Sequence, residues 1–231
     1  MAEFRPSGFS ILPPVVKNLI IICVLVFLAQ QVSIKVFHYP LEYLFALHYW
    51  QSPLFKPFQL VTHLFMHGGY LHIAMNMFVL WMFGRVVENV WGPKRFLIFY
   101  MVCGLGAALC FLGVQTLEFH QLTAEYLRGQ VPVSEVQQFL YEPVLGASGA
   151  IYGVLVAFGV LFPNSLIYLY FFVPIKAKWC VIGFIAIELY TAMQQNPNDH
   201  IAHVAHLGGA LFGFILARYW KKKGFGGGFY Q

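Results

Sequence analysis

The chain has 231 residues, of which 59% are hydrophobic and 10% charged, with a mean hydropathy of +0.68. A soluble globular domain carries about 25% charged residues, so this composition excludes a water-coated fold and points to the lipid bilayer as the solvent. The net charge of +5 does not indicate a nucleic-acid partner, because the basic residues lie between apolar runs rather than beside aromatics on a polar face.

Residues 1–14 are mixed in character and carry Pro6, Pro13 and Pro14. The run that follows, Val15–Val32, is longer than the apolar core of a signal peptide and reads as a retained span. Crossing a bilayer takes about 20 apolar residues. Further candidates are Tyr70–Val87, Phe96–Gly113, Ala147–Phe162, Trp179–Met193 and Ile201–Trp220, which makes six. The fourth and fifth are short. A short span starting below the surface leaves irregular backbone at membrane depth, which is tolerated only in protein or beside water. A wet hollow near residues 145–148 is therefore expected.

With the N-terminus placed in the cytoplasm, 11 of the 14 basic residues fall on the inner side, and only Lys35, Lys56 and Arg128 fall outside. Ser33–Gly69 is a long aromatic loop, and its Leu41–Trp50 stretch suits short interfacial helices. Residues 114–145 carry five charges and several glutamines and read as a second, water-facing outer segment. The four cysteines sit in or beside apolar runs without a C-x-x-C pair, as reduced, buried thiols do. The expected organisation is a short inner segment (1–14), a six-span all-α bundle (15–220) and a basic, glycine-rich inner tail (221–231). The short first segment, with neither transit peptide nor seventh span, suggests a bacterial plasma membrane.

Polar side chains inside a membrane are costly and need a reason. Ser148 is the only serine within a candidate span, in Gly146-Ala147-Ser148-Gly149. Glycines at spacing four, Gly149 and Gly153, serve ordinary helix packing, yet a serine at a helix start also exposes a hydroxyl and free backbone N–H groups. A neutral hydroxyl needs a base, and His206 opens the sixth span ahead of Gly209 and Gly213. Packing the two glycine faces together would bring His206 to Ser148. Tyr152, one turn beyond Ser148, can stack on the imidazole. His72 and Asn76 share one face of the second span and can donate to an oxyanion. All these residues lie near the outer ends of their spans.

Together Gly146-Ala147-Ser148-Gly149 with Tyr152, Ala205-His206-Leu207-Gly208-Gly209 and His72-Ile73-Ala74-Met75-Asn76 resemble the rhomboid family of intramembrane serine proteases over residues 15–220. The resemblance implies a six-span rhomboid-like bundle and a Ser148–His206 dyad without a carboxylate. It also implies an oxyanion hole from the Ser148 N–H, His72 and Asn76, and transmembrane proteins as substrates, cut near the outer membrane boundary. No cofactor or metal is implied, and the oligomeric state stays open. The chain departs from many relatives at Phe58-Gln59, where those carry Trp-Arg, and in its long 114–145 segment.

Carboxylates near the dyad are few. Asp199 lies seven residues before His206, about 10 Å along a helix, too far for a triad bond. Glu188, the only acidic residue well inside a span, is expected to bond a neighbouring span or face the wet hollow rather than complete a triad. Zinc hydrolysis is a rival reading on His63, His67, His200, His203 and His206, but no His-Glu-x-x-His occurs. His63 and His67 are read as interfacial or structural, and His200 and His203 as lining a water entrance. A non-catalytic binder of membrane clients would not need both members of the dyad. A transporter would carry ionisable groups along its depth.

Overall fold

The computed structural model describes residues 9–169, 172–193 and 200–225, without the side chains of 169 and 200–202. In chain order the elements are α1 (Pro14–Phe37), α2 (Glu42–Phe45), α3 (Gln59–Thr62), a 3-10 turn (His63–Phe65), α4 (Tyr70–Val79), a π turn (Leu80–Gly84) and α5 (Arg85–Trp91). There follow α6 (Pro93–Leu127), α7 (Val133–Tyr141), α8 (Ser148–Leu161), β1 (Leu166–Leu169), β2 (Val173–Lys176), α9 (Ala177–Met193) and α10 (His200–Lys222). Among the described residues, three helices are long and apolar enough to cross a membrane: α1, the continuous α4–α5 unit Tyr70–Trp91, and α6. The apolar α8 is shorter, at 14 residues.

The helix starts have local causes. Pro14 occupies the first turn of α1, where its missing N–H costs nothing. The free N–H groups of Val15 and Val16 donate to the two carboxylate oxygens of Glu88 at 2.9 and 2.8 Å. An anion buried there complements the positive end of the helix and fastens α1 to α5. At the far end, the chain leaves α1 through His38 in the left-handed region (φ 52°). The outward face of α1 presents Leu25, Leu28 and Val32, each more than half exposed, as a side chain facing lipid would be.

Gln59 organises the first loop. It is fully buried; its Nε2 donates to the carbonyls of Leu44 and Leu54 at 3.0 and 2.9 Å, and its Oε1 accepts from the Lys56 N–H at 3.1 Å. The position at which the chain departs from many relatives is thus a backbone tie. One amide satisfying several buried backbone groups holds an irregular segment that lacks secondary structure to do so.

α8 lies at the centre, packed against α6, α10 and the π turn. The small-residue faces explain how closely the helices approach. A Cβ on Gly213 would stand 2.6 Å from the Gly153 Cα, and one on Gly209 would collide with the Gly149 carbonyl. On the other side of α8, a Cβ on Gly149 would meet the Ala107 Cβ at 2.6 Å. Close backbone contact of this kind gives van der Waals attraction where no hydrophobic drive exists between helices in lipid.

Two elements differ from the sequence expectation. The polar segment after residue 113 is not a loop: α6 continues to Leu127, 35 residues or about 52 Å at 1.5 Å per residue, well beyond an apolar core of about 30 Å. The sequence changes from apolar to polar along one continuous helix, because composition reports the surroundings rather than the backbone. After a turn, α7 folds back, and Phe119, Phe139 and Tyr49 pack ring against ring with centroids 5.2–5.7 Å apart. The strands β1 and β2 form an antiparallel hairpin with Leu166 opposite Lys176, an exception to the all-α expectation. Its Ile, Tyr and Val residues suit a strand. Asp199 and the side chain of His200 lie outside the described residues. The four cysteines are unpaired, as expected, and Cys23, Cys103 and Cys180 are buried.

The glycine contacts predict that Gly213→Val destabilises the bundle by about 1–3 kcal/mol or more, the usual overpacking cost. Gly183, whose Cβ would meet nothing within 4 Å, should accept alanine. Thermal unfolding in detergent is expected to show a lowered midpoint for Gly213→Val and the parent's midpoint for Gly183→Ala.

Candidate active site

The strand-like bridge between Leu47 and Val144 brings the first loop beside the start of α8. Gly146 then turns the chain with φ 131°, a conformation L side chains rarely adopt, and its N–H donates to the His63 carbonyl at 2.9 Å. Glycine is needed there twice, since a Cβ would also press within 3.0 Å of the His72 ring. This turn sets Ser148 at the first position of α8, where backbone N–H groups have no intrahelical acceptor.

His206, nearly two turns into α10, meets it there. His206 Nε2 lies 2.8 Å from Ser148 Oγ. Tyr152 stacks on the imidazole, with ring centroids 4.5 Å apart and planes at 12°. The close contact of Gly149, next to Ser148, with Gly209, one turn beyond His206, fixes the spacing of the helices that carry the pair.

Glu188 also stands at the site. Its Oε2 is 3.1 Å from His206 Nδ1 and 2.5 Å from His203 Nδ1, and its Oε1 accepts the Tyr152 hydroxyl. The carboxylate is buried among the three. Glu188 thus bonds neighbouring helices, as expected, but its contact with His206 Nδ1 differs from the arrangement without a carboxylate that the resemblance implies. An ionisable group inside a span is itself a signal of function, but the rotation of α9 that aims Glu188 at α10 has no signature in the chain. His203, expected at a water entrance, instead meets this carboxylate.

A cavity of about 110 Å³ opens in front of Ser148, with Ala107, Ala108, Leu145, Gly149 and Ala205 among its walls. His72 and His63 line it as well. The Gly68 N–H donates to His72 Nδ1 at 3.3 Å, so that nitrogen is an acceptor and Nε2 carries the proton in the neutral ring. Asn76 is buried but does not line the cavity; its Nδ2 donates to the His72 carbonyl at 3.0 Å. His63 Nδ1 pairs with the Gln59 carbonyl at 2.8 Å, and burial pushes its pKa down to about 4. It is neutral at pH 7 and positions the Gly146 turn through its own carbonyl.

Glu188, His203 and His206 each place a donor atom within 4.8 Å of the others, a spacing that a metal ion can bridge. His63 and His67 belong to no such group among the described residues. Glu188 Oε2 receives both imidazoles and Oε1 the phenol, so hydrogen bonds hold the cluster together.

The arrangement of hydroxyl, imidazole and free helix N–H groups beside a cavity can activate a nucleophile and bind an oxyanion. A family model for the rhomboid domain matches residues 54–223. RHOMBOID-like protein 12, mitochondrial, of Arabidopsis thaliana is 32% identical over 156 residues, 68% of this chain and 44% of its own. Rhomboid protein 1, mitochondrial, of Saccharomyces cerevisiae is 29% identical over 162 residues, 68% of this chain and 40% of its own. Rhomboid-like protein 16, chloroplastic, of Arabidopsis thaliana is 29% identical over 158 residues, 68% and 47% respectively. The chain thus spans less than half the length of these relatives. Their mitochondrial and chloroplastic names overturn the expectation of a bacterial plasma membrane. That expectation rested on a transit peptide and a seventh span not being evident, and neither feature carries physical information about which bilayer the spans cross. The match over most of its length makes this chain a member of the rhomboid family.

Proposed function

We propose that this chain is an intramembrane serine endopeptidase that cuts transmembrane proteins near one boundary of the bilayer. The observation that carries the reading is the 2.8 Å contact between Ser148 Oγ and His206 Nε2 at the mouth of a cavity. In this reading α8, α9 and α10 complete a six-span bundle with both termini on the same, positively charged side. The relatives' names favour an organellar inner membrane.

The chemistry follows from the atoms. Ser148 Oγ attacks the substrate carbonyl carbon and its proton passes to His206 Nε2. The tetrahedral oxyanion is held by the Ser148 N–H and the His72 side chain, joined by the second N–H of the Asn76 amide, whose first is on the His72 carbonyl. The C–N bond breaks as His206 returns the proton to the leaving amine, which leaves an acyl ester on Ser148. Water then attacks the ester, giving its proton to His206, and the carboxylic acid product departs as Oγ is reprotonated. The protonated His72 Nε2 supports its part as donor. A substrate helix must unwind before its peptide bonds are accessible, so residues of low helix propensity near the cut favour cleavage. Entry past α9 is supported by that helix's thin attachment: Trp179, Ile182, Ile187 and Tyr190 are all more than half exposed.

Cleavage of a single-span test protein in proteoliposomes tests the reading. The parent is expected to cut it, and Ser148→Ala and His206→Ala to leave it intact, with no effect of a chelator. Equal cleavage by Ser148→Ala would overturn the nucleophile, and loss with chelator would move the chemistry to a metal at Glu188, His203 and His206. Absence of cleavage by every form would favour a client-binding role. His72→Ala and Asn76→Ala should each slow turnover by about 10–10³-fold, as removal of one oxyanion donor does, measured as initial cleavage rates at saturating substrate.

A further inference from the structure

The catalytic pair has a third partner on a different helix. Glu188 projects from α9 and binds residues of both neighbours, the Tyr152 hydroxyl on α8 and the Nδ1 atoms of His203 and His206 on α10. It is buried, and a carboxylate buried among apolar helices is retained only when it is fully hydrogen-bonded. Its acceptors point at Nδ1 of His206 while Ser148 holds Nε2. The two ring nitrogens therefore have opposite roles. A carboxylate accepts only, so Nδ1 must carry the hydrogen, and Nε2 is left with the lone pair that a base needs.

We propose that Glu188 is a positioning residue of the Ser148–His206 pair, making it a Ser–His–Glu relay assembled from α8, α10 and α9; this rests on the protease reading above. Glu188 holds the imidazole in the Nδ1–H tautomer. It also opposes the positive charge that appears on His206 when the Ser148 proton arrives, and does not itself take that proton. Tyr152 serves the relay twice, with its ring face on the imidazole and its hydroxyl on the carboxylate. His203 donates to the same oxygen from one turn earlier in α10 and limits the rotation of the carboxyl group. Because Glu188 rides on α9, the relay is complete only while α9 is docked against α8 and α10. A substrate that enters past α9 must let it close again before the serine is fully activated.

A metal would use these same nitrogens differently. An ion on His206 Nδ1 would force the remaining hydrogen onto Nε2, turning the base toward Ser148 into a donor. The two alternatives differ in a property that spectroscopy reads directly.

The test uses the full chain in detergent micelles. Glu188→Gln keeps the shape and removes the charge. It is expected to lower kcat by up to about 10⁴-fold, the loss seen on neutralising a triad carboxylate, with KM changed by no more than about twofold. Glu188→Asp should recover part of the loss. In nitrogen-15 spectra of the parent, the His206 signal, assigned by its disappearance in His206→Ala, should show the Nδ1–H tautomer, and Glu188→Gln should shift it toward a tautomer mixture. The spectrum of the parent needs no Glu188 variant to fold and no substrate to be cut. Parent cleavage with an undiminished kcat in Glu188→Gln would overturn the relay while leaving the protease reading intact. An Nε2–H tautomer in the parent would overturn it whether or not cleavage is seen. A parent that cleaves nothing would end both.

Discussion

The close approach of α8 and α10 is the constraint on which the site depends. Gly149 and Gly153 face Gly209 and Gly213 with no side chain between the backbones. Helices usually lie 8–10 Å apart, and bulky residues at this seam would carry His206 away from Ser148. A hydrogen bond of 2.8 Å between the two is thus the product of absent side chains below it. The seam also sets the stacking of Tyr152 on the imidazole, because both rings rise from the same pair of helices.

The other contacts serve that geometry from outside the seam. Glu88 fixes the start of α1, and Gln59 and His63 hold the first loop so that Gly146 can turn into α8. Burial keeps His63 neutral, so this support carries no charge into the wall of the cavity. This scaffolding is polar and buried, and with close van der Waals packing it is one of the two forms of stabilisation left where apolar burial gains little between helices. α9 is the exception. Its buried residues are few, and Glu188 is its main polar tie to the bundle.

What the sequence made legible follows the cost of polar groups in lipid. Ser148, His206, His72 and Asn76 stood out because each is expensive in a span, and their shared depth could be read from span order alone. The pairing of glycine faces was also readable, since spacing four is a property of the helix. Glu188 stood out by the same cost, yet its partner was not readable: seventeen residues of α9 can present it to any neighbour, and only the rotation of the helix decides. The continuation of α6 was hidden because hydropathy follows the surroundings rather than the backbone. The hairpin of β1 and β2 fell in an apolar stretch between two spans, where short apolar runs do not distinguish strand from helix. The choice of membrane had no physical trace in the residues, and relatives overturned it.

The central claim is that His206 makes Ser148 nucleophilic. It is tested most directly by intact-mass spectrometry of the detergent-solubilised protein after exposure to a fluorophosphonate, which phosphonylates an activated serine and releases fluoride. The account predicts one adduct per chain, mapped to Ser148 by peptide sequencing and absent in His206→Ala. No adduct on the folded parent, an adduct on another residue, or equal labelling of His206→Ala would contradict it.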